Sequence, residues 1–401
     1  MLCHQPPSPA SRVLPPEGED EEEGLALCSI CPPWGKWLGA LSRRDEGGVS
    51  TFLNNILALL ALTTCLVAQN APAQTHVETG LSSGVAFNQY SPLASNAELA
   101  RRLLSPLAAA RMQAIFTRSG KTLTGQPIDL AKERFLTYVP SRVPPGGYGL
   151  LVFVPPWGQA KLPDGWASVL DRYGVIFVSA DHSGNDDNVV ARRIPLAVTA
   201  AANIIARYKV DPSRVWVGGF SGGAKVALRV ALAWPDLFAG ALLNGGSDPI
   251  GGGAVPLPPR PLFDRFQASA RLVYVTGELN SAAAPEDANS SQSLRQWCVL
   301  DVASIAMPRL GHAAADSAGL LRTLEMLVNK ASPDPNRLAA CRSGVETRLA
   351  ARLQEAEALV SGGRREEAKK ALTDIDRHYG GLAAPPILDL AQKCQCGADS
   401  P

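Results

Sequence analysis

The sequence predicts an α/β fold: a mostly parallel sheet with helices on both faces, followed by a small C-terminal helical hairpin. Three observations carry this. Short β-rich apolar runs alternate with helical stretches from about Glu133 onward, the spacing of β-α-β units with right-handed crossovers. Two of the runs, Leu150-Leu-Val-Phe-Val154 and Val175-Ile-Phe-Val-Ser179, are almost continuously apolar, as strands covered on both faces are. A third run leads through Gly218-Gly219-Phe220-Ser221-Gly222-Gly223 into a helix, a sharp strand-to-helix turn in a parallel sheet.

Composition permits a substantial core and excludes some partners. The 401 residues are 46% hydrophobic and 19% charged, with 38 Lys and Arg against 37 Asp and Glu, a net charge of +1. No basic excess points to nucleic acid or to an anionic membrane surface. The 36 Gly and 32 Pro are spread along the chain and mark loops between short elements.

Residues 1–48 do not read as a folded unit. They carry Pro-rich patches, the acidic run Glu17–Glu23 and a Cys28-x-x-Cys31 pair with no second pair to complete a zinc site. The apolar stretch Phe52–Ala68, followed by Ala71-Pro72-Ala73, has the length and the small-residue ending of a signal peptide. Residues 49–73 are therefore expected to be a signal peptide, or alternatively a signal anchor. Translation is then expected to begin between Leu41 and Val49, with most of what precedes as an extension. Export implies a periplasmic or secreted protein. In that compartment Cys298, Cys341, Cys394 and Cys396 are able to form two disulfides, in a pairing that sequence leaves open.

The folded region is expected over 80–332. Arg134-Phe-Leu-Thr-Tyr-Val139 alternates like an outer strand, and Arg214-Val-Trp-Val217, Gly240-Ala-Leu-Leu243 and Arg271-Leu-Val-Tyr-Val275 complete the strand set. Helices are expected near Ile194–Tyr208, Ala224–Trp234 and Gly319–Asn329. Ligands in such sheets bind beyond the carboxyl ends of the strands, so the residues just after each strand are the ones to inspect.

Ser221 sits at such an end. The glycines flanking it remove side chains that would clash in a tight turn, which lifts the hydroxyl above the sheet at the positive end of the next helix. A serine hydroxyl needs a neighbouring base. Of the five histidines, His4 and His76 lie in or near the leader and His378 on a charged helix. His182 follows a strand but precedes the serine. His312, in Met307-Pro-Arg-Leu-Gly-His312, obeys the order serine, acid, histidine that hydrolases with this turn use and is the expected base.

These stretches resemble the polyhydroxybutyrate depolymerase-like and putative-esterase branch of the α/β-hydrolases. The resemblance is carried by Arg134-Phe-Leu-Thr-Tyr-Val-Pro140, Val210-Asp-Pro-Ser-Arg-Val215, the Gly219-Phe-Ser-Gly-Gly223 turn, Trp234-Pro-Asp-Leu-Phe-Ala-Gly240 and Gly311-His312, over roughly 130–330. It implies ester hydrolysis with no metal or cofactor, on a small-molecule or polymeric ester, through an acyl-enzyme on Ser221.

Two positions depart from that pattern. The third catalytic member should be a carboxylate three residues after Gly277, where the chain carries Asn280. Glu278 is the expected substitute, with Asp248, Asp287 or no charged acid at all, Asn280 keeping the place, as alternatives. The oxyanion hole should use the Gly222 amide and a second donor after Val154. There the chain reads Pro155-Pro156-Trp157-Gly158, and because proline has no N–H, the expected donor is the amide of Trp157 or else that of Gly158. An active esterase and a catalytically degenerate relative kept for binding or scaffolding are both compatible with these residues.

Residues 335–397 read as a separate helical segment. Leu349, Leu353, Ala356, Leu359 and Val360 share one helical face, and Ala368, Leu372 and Ile375 another. The hairpin is expected to pack on the hydrolase domain, or else to offer a face to a protein partner.

Overall fold

The computed structural model describes residues 78–396 apart from 121, 254, 330 and 331, all within the compact unit Thr64–Pro401. The expected leader at 49–73 and the segment 1–48 lie outside the described residues.

Eight strands form one sheet: β1 (Gly80–Val85), β2 (Phe135–Val139), β3 (Tyr148–Val154), β4 (Val175–Ala180), β5 (Val210–Phe220), β6 (Gly240–Asn244), β7 (Arg271–Gly277) and β8 (Val302–Met307). Their spatial order is β1-β2-β4-β3-β5-β6-β7-β8. Only β2 runs against its neighbours; all other pairs are parallel. Eleven α-helices are described: α1 (Asn96–Leu103), α2 (Pro106–Arg118), α3 (Trp166–Tyr173), α4 (Ile194–Arg207), α5 (Gly222–Ala233), α6 (Arg260–Ser269), α7 (Ala283–Gln296), α8 (Ser317–Val328), α9 (Pro335–Ser361), α10 (Arg365–Tyr379) and α11 (Pro386–Lys393).

The pleat sorts each strand's apolar residues between two layers, since successive side chains face opposite ways. Leu151, Phe153, Phe177, Leu242 and Val273 meet Trp166 and Leu170 of α3 and Leu320 and Leu324 of α8. Leu150, Val152, Ile176, Val178, Leu243 and Tyr274 belong to the opposite layer with α4, α5 and α6. The very apolar stretch Val189–Arg207 lies in this second layer, where Leu196, Val198, Ala200 and Ile204 are fully or almost fully buried.

The C-terminal helices complete that same layer. Leu349, Ala356, Ala368, Leu372 and Ile375 are buried in it, and so are Ile387, Leu390 and Ala391 of α11. Both expected stripes are thus buried at their centres, but the segment holds three helices rather than a hairpin. Asp376 of α10 accepts the Leu107 N–H at 2.9 Å and the Ser105 hydroxyl, which caps one otherwise unpaired amide at the start of α2. A disulfide joins Cys298, just after α7, to Cys341 in α9, and Cys394 pairs with Cys396.

The parallel sheet differs from the expectation at its margins. β1 is Ser- and Gly-rich and β8 is Ala-rich and half exposed, so neither shows the dense β-branched run that marks β3 and β4. The expected outer strand is β2, which lies one place inside the edge because β1 covers it.

Candidate active site

The loops after β3, β4, β5, β6, β7 and β8 share the carboxyl end of the sheet. The turn after β5 is the most constrained. Ser221 has φ 55° and ψ −125°, a positive-φ backbone outside the common wells that costs a non-glycine residue about 1–3 kcal/mol. Its N–H donates to the Asn244 carbonyl at 2.8 Å, which ties the turn to the end of β6. A Cβ on Gly219 would lie 2.2 Å from the Gly223 oxygen, and one on Gly223 1.9 Å from the Val154 oxygen. Glycine at both sites is what lets β5 turn into α5 against β3.

His312 is brought over the serine by the loop after β8. Its Nε2 lies 2.9 Å from Ser221 Oγ, and its ring stands 4.9 Å from that of Phe220. Asn244 steadies the same loop from below: its Oδ1 accepts the Ala315 N–H at 2.7 Å and its Nδ2 donates to the Val275 carbonyl at 2.8 Å. The close packing of Gly277 beneath the Leu310 carbonyl, where a Cβ would fall at 2.2 Å, sets the β7 and β8 loops against each other.

That contact places Asn280, not Glu278, on His312. Asn280 Nδ2 lies 2.9 Å from His312 Nδ1, and Asn280 is buried. Glu278, the expected third member, is exposed; its backbone N–H donates to the Met307 carbonyl, and the side chain of Asn280 occupies the place beside the imidazole. The cause is geometric: two residues beyond Glu278 the chain turns inward toward α7, with the Asn280 N–H donating to the Gly277 carbonyl. Asp248 is engaged elsewhere by Lys225 and Arg229. Asp287 is buried beneath the loops, accepting from Gly246 N–H and the Thr276 hydroxyl. Burial pushes its carboxyl up to about 6, against the pull of those two donors.

The Asn280 amide is pinned. Its Oδ1 accepts the Ala283 N–H at 3.2 Å, so the Nδ2 end faces His312. An Nδ2–H donating to Nδ1 leaves the imidazole proton on Nε2, pointing at Ser221 Oγ. In that tautomer His312 is a donor to the serine.

Gly222 opens α5 immediately after Ser221. Trp157, half-buried, lies in the loop after β3 with its ring 6.1 Å from Phe220 and the Lys161 ammonium 4.3 Å above it. Asn185, which no sequence motif singled out, lies beside Gly222: a Cβ there would come within 2.2 Å of Asn185 Oδ1. The signal that points to it is only its place after β4. His182 is exposed on the same loop. Among the described residues no group of three His, Cys, Asp or Glu side chains is placed to hold a metal.

A sheet of eight strands with the second reversed, a strained serine turn after the fifth and a histidine loop after the eighth decides the architecture. The fold is that of the α/β-hydrolases. No family model matches the chain. A poly(3-hydroxybutyrate) depolymerase from Ralstonia pickettii is similar to this chain at 29% identity over 98 residues, 21% of this chain and 20% of the relative's length. Among solved structures, an acetyl xylan esterase from Aspergillus awamori aligns over 49% of this chain and 94% of its own, at 15% identity and a TM-score of 0.38. Est1E from Butyrivibrio proteoclasticus aligns over 49% of this chain and 95% of its own, at 13% identity and a TM-score of 0.35.

Proposed function

We propose that the protein is an exported serine hydrolase that cleaves carboxylic esters, small or polymeric, through an acyl-enzyme on Ser221. The observation that carries this reading is the 2.9 Å contact between Ser221 Oγ and His312 Nε2 on a strained turn that presents the hydroxyl above the sheet. Ser221 Oγ attacks the ester carbonyl, and His312, once its ring proton has moved from Nε2 to Nδ1, takes the serine proton on Nε2 and returns it to the leaving alcohol. The Gly222 amide, at the positive end of α5, and the Trp157 amide receive the oxyanion. Water, deprotonated by His312, then releases the acid. The Cys298–Cys341 disulfide supports an oxidising compartment. The similarity to a depolymerase over a fifth of its length supports ester chemistry and leaves the alcohol and acid parts open.

A second reading draws on Asn280. With Nδ2 toward His312, the resting imidazole is the wrong tautomer to accept the serine proton, which favours a degenerate hydrolase kept for binding. A fluorophosphonate probe separates the two. The first reading expects covalent labelling of the wild-type protein that disappears in Ser221→Ala and falls sharply in His312→Ala; no labelling of the wild type between pH 6 and 9 would favour the second.

A further inference from the structure

We propose that Arg193 is a positioning residue that holds the 155–158 loop from behind, so that its amides keep their direction for acyl transfer at Ser221. The proposal rests on the serine-hydrolase reading given above.

Two prolines leave this loop short of donors, so the direction of those that remain matters more. The loop's carbonyls are held from the segment after β4. The Pro155 oxygen accepts from Arg193 Nη2 at 2.9 Å. The Pro156 oxygen accepts the Asn185 N–H at 3.0 Å, and the Gly158 oxygen accepts the His182 N–H. In a trans peptide the carbonyl and the following N–H point opposite ways, so a held Pro156 carbonyl fixes the Trp157 amide. Gly184 permits the close approach: a Cβ there would lie 2.8 Å from the Trp157 carbonyl carbon.

Arg193 joins the two segments with one side chain. Besides the Pro155 carbonyl, its Nε donates to the Ser183 carbonyl at 2.9 Å, and the residue is only 3% exposed. It closes the π-helical turn Val189–Arg193, in which the amides of Arg192 and Arg193 both donate to the Asn188 carbonyl. Such turns insert an extra residue and re-aim the side chains around it. Here Arg192 turns out to a two-pronged contact with Glu133, and Arg193 turns in.

No carboxylate lies within ion-pair range of Arg193 among the described residues. Burial pulls its pKa down to about 10, with Asp187 acting the other way, so the cation persists at neutral pH. A buried charge is costly unless well paired. This one spends its hydrogen bonds on two backbone carbonyls, one in each segment, which is the use expected of a clamp.

The test compares wild type, Arg193→Met, Arg193→Gln and Arg193→Lys as full chains. The readouts are kcat and KM for p-nitrophenyl acetate, fluorophosphonate labelling rate, thermal midpoint and amide hydrogen exchange of the 181–188 segment. The clamp predicts that R193M lowers kcat roughly 10- to 100-fold, short of or reaching the loss from a missing oxyanion donor, with KM within about threefold. It also predicts faster exchange at His182 and Asn185 with β3 and β5 unchanged, and recovery by R193K to within about tenfold of wild type. Wild-type kcat and exchange in R193M overturn it, as does an equal loss in R193M and R193K that tracks the thermal midpoint. Where R193M does not fold, R193Q, which keeps a single neutral donor head, is read in the same way. A wild type that neither labels nor turns over ester overturns the hydrolase reading, while the exchange comparison still decides the clamp.

Discussion

Ser221 and Asn280 pull the chemistry in opposite directions. At Ser221 the backbone accepts strain to present a hydroxyl to His312. At Asn280 a neutral amide, fixed by the Ala283 N–H, donates toward the imidazole nitrogen that a carboxylate would instead stabilise as N–H. Asparagine and aspartate have the same shape, so Asn280→Asp changes charge and hydrogen-bond direction with little change in packing. One carboxylate oxygen keeps the Ala283 N–H, and the other accepts Nδ1–H and frees Nε2 to act as base. The reverse exchange in a chymotrypsin-type triad costs about 10⁴ in kcat. Asn280→Asp is therefore expected to raise kcat for p-nitrophenyl acetate by roughly 10²- to 10⁴-fold near pH 7.5. Steady-state kinetics of the two proteins measures this; equal rates would show that Asn280 does not limit turnover.

The β6, β7 and β8 ends, with the start of α7, form the platform under the site, and Asp287 is its buried charge. Its folded pKa of about 6 stands above the ordinary 3.8. The folded state therefore holds a proton that the unfolded state has lost between those two values. Stability from this group is present below about pH 4, falls as pH rises toward 6, and is fully lost above it, a cost on the order of 2–3 kcal/mol at neutral pH. Asp287→Asn still accepts the Gly246 N–H and offers Thr276 a donor, without the ionisation. It is expected to exceed wild type in urea midpoint at pH 7.5 and to lose that advantage by pH 4. The composition of the platform decides how much of it was legible in sequence. β3 and β4 announce themselves by dense Val, Ile, Leu and Phe, and β5 by the short run Val-Trp-Val before the glycines around Ser221 that mark the turn. β8 reads Val-Ala-Ser-Ile-Ala-Met, with too little β-branched content to register as a strand. Asn280 lies at the position where the α/β-hydrolase pattern wants a carboxylate, and in sequence Glu278 is the nearest carboxylate to it. The direction of that side chain depends on the turn into α7, and the roles of Asn185 and Arg193 on contacts between loops far apart in sequence; neither has a local signature.

On the scale of the molecule, the C-terminal helices belong to one helical layer of the sheet rather than to a domain beside it. The Cys298–Cys341 bridge closes a separation of 43 residues between the end of α7 and α9. By loop entropy such a bridge is worth about 4 kcal/mol. The double substitution Cys298→Ala and Cys341→Ala is expected to lower the unfolding free energy by about that much in chemical denaturation, with the wild type falling to the same value under reductant. The burial of α11 also bears on the order in which the protein is made. Ile387, Leu390 and Ala391 share a core with strands that begin some three hundred residues earlier. A chain that leaves the ribosome amino end first thus displays an unsealed apolar layer until α11 has emerged. A premature stop between Asp334 and Pro386 would spare Ser221, His312 and every loop around them, and still leave a protein that sticks to its neighbours before it meets a substrate.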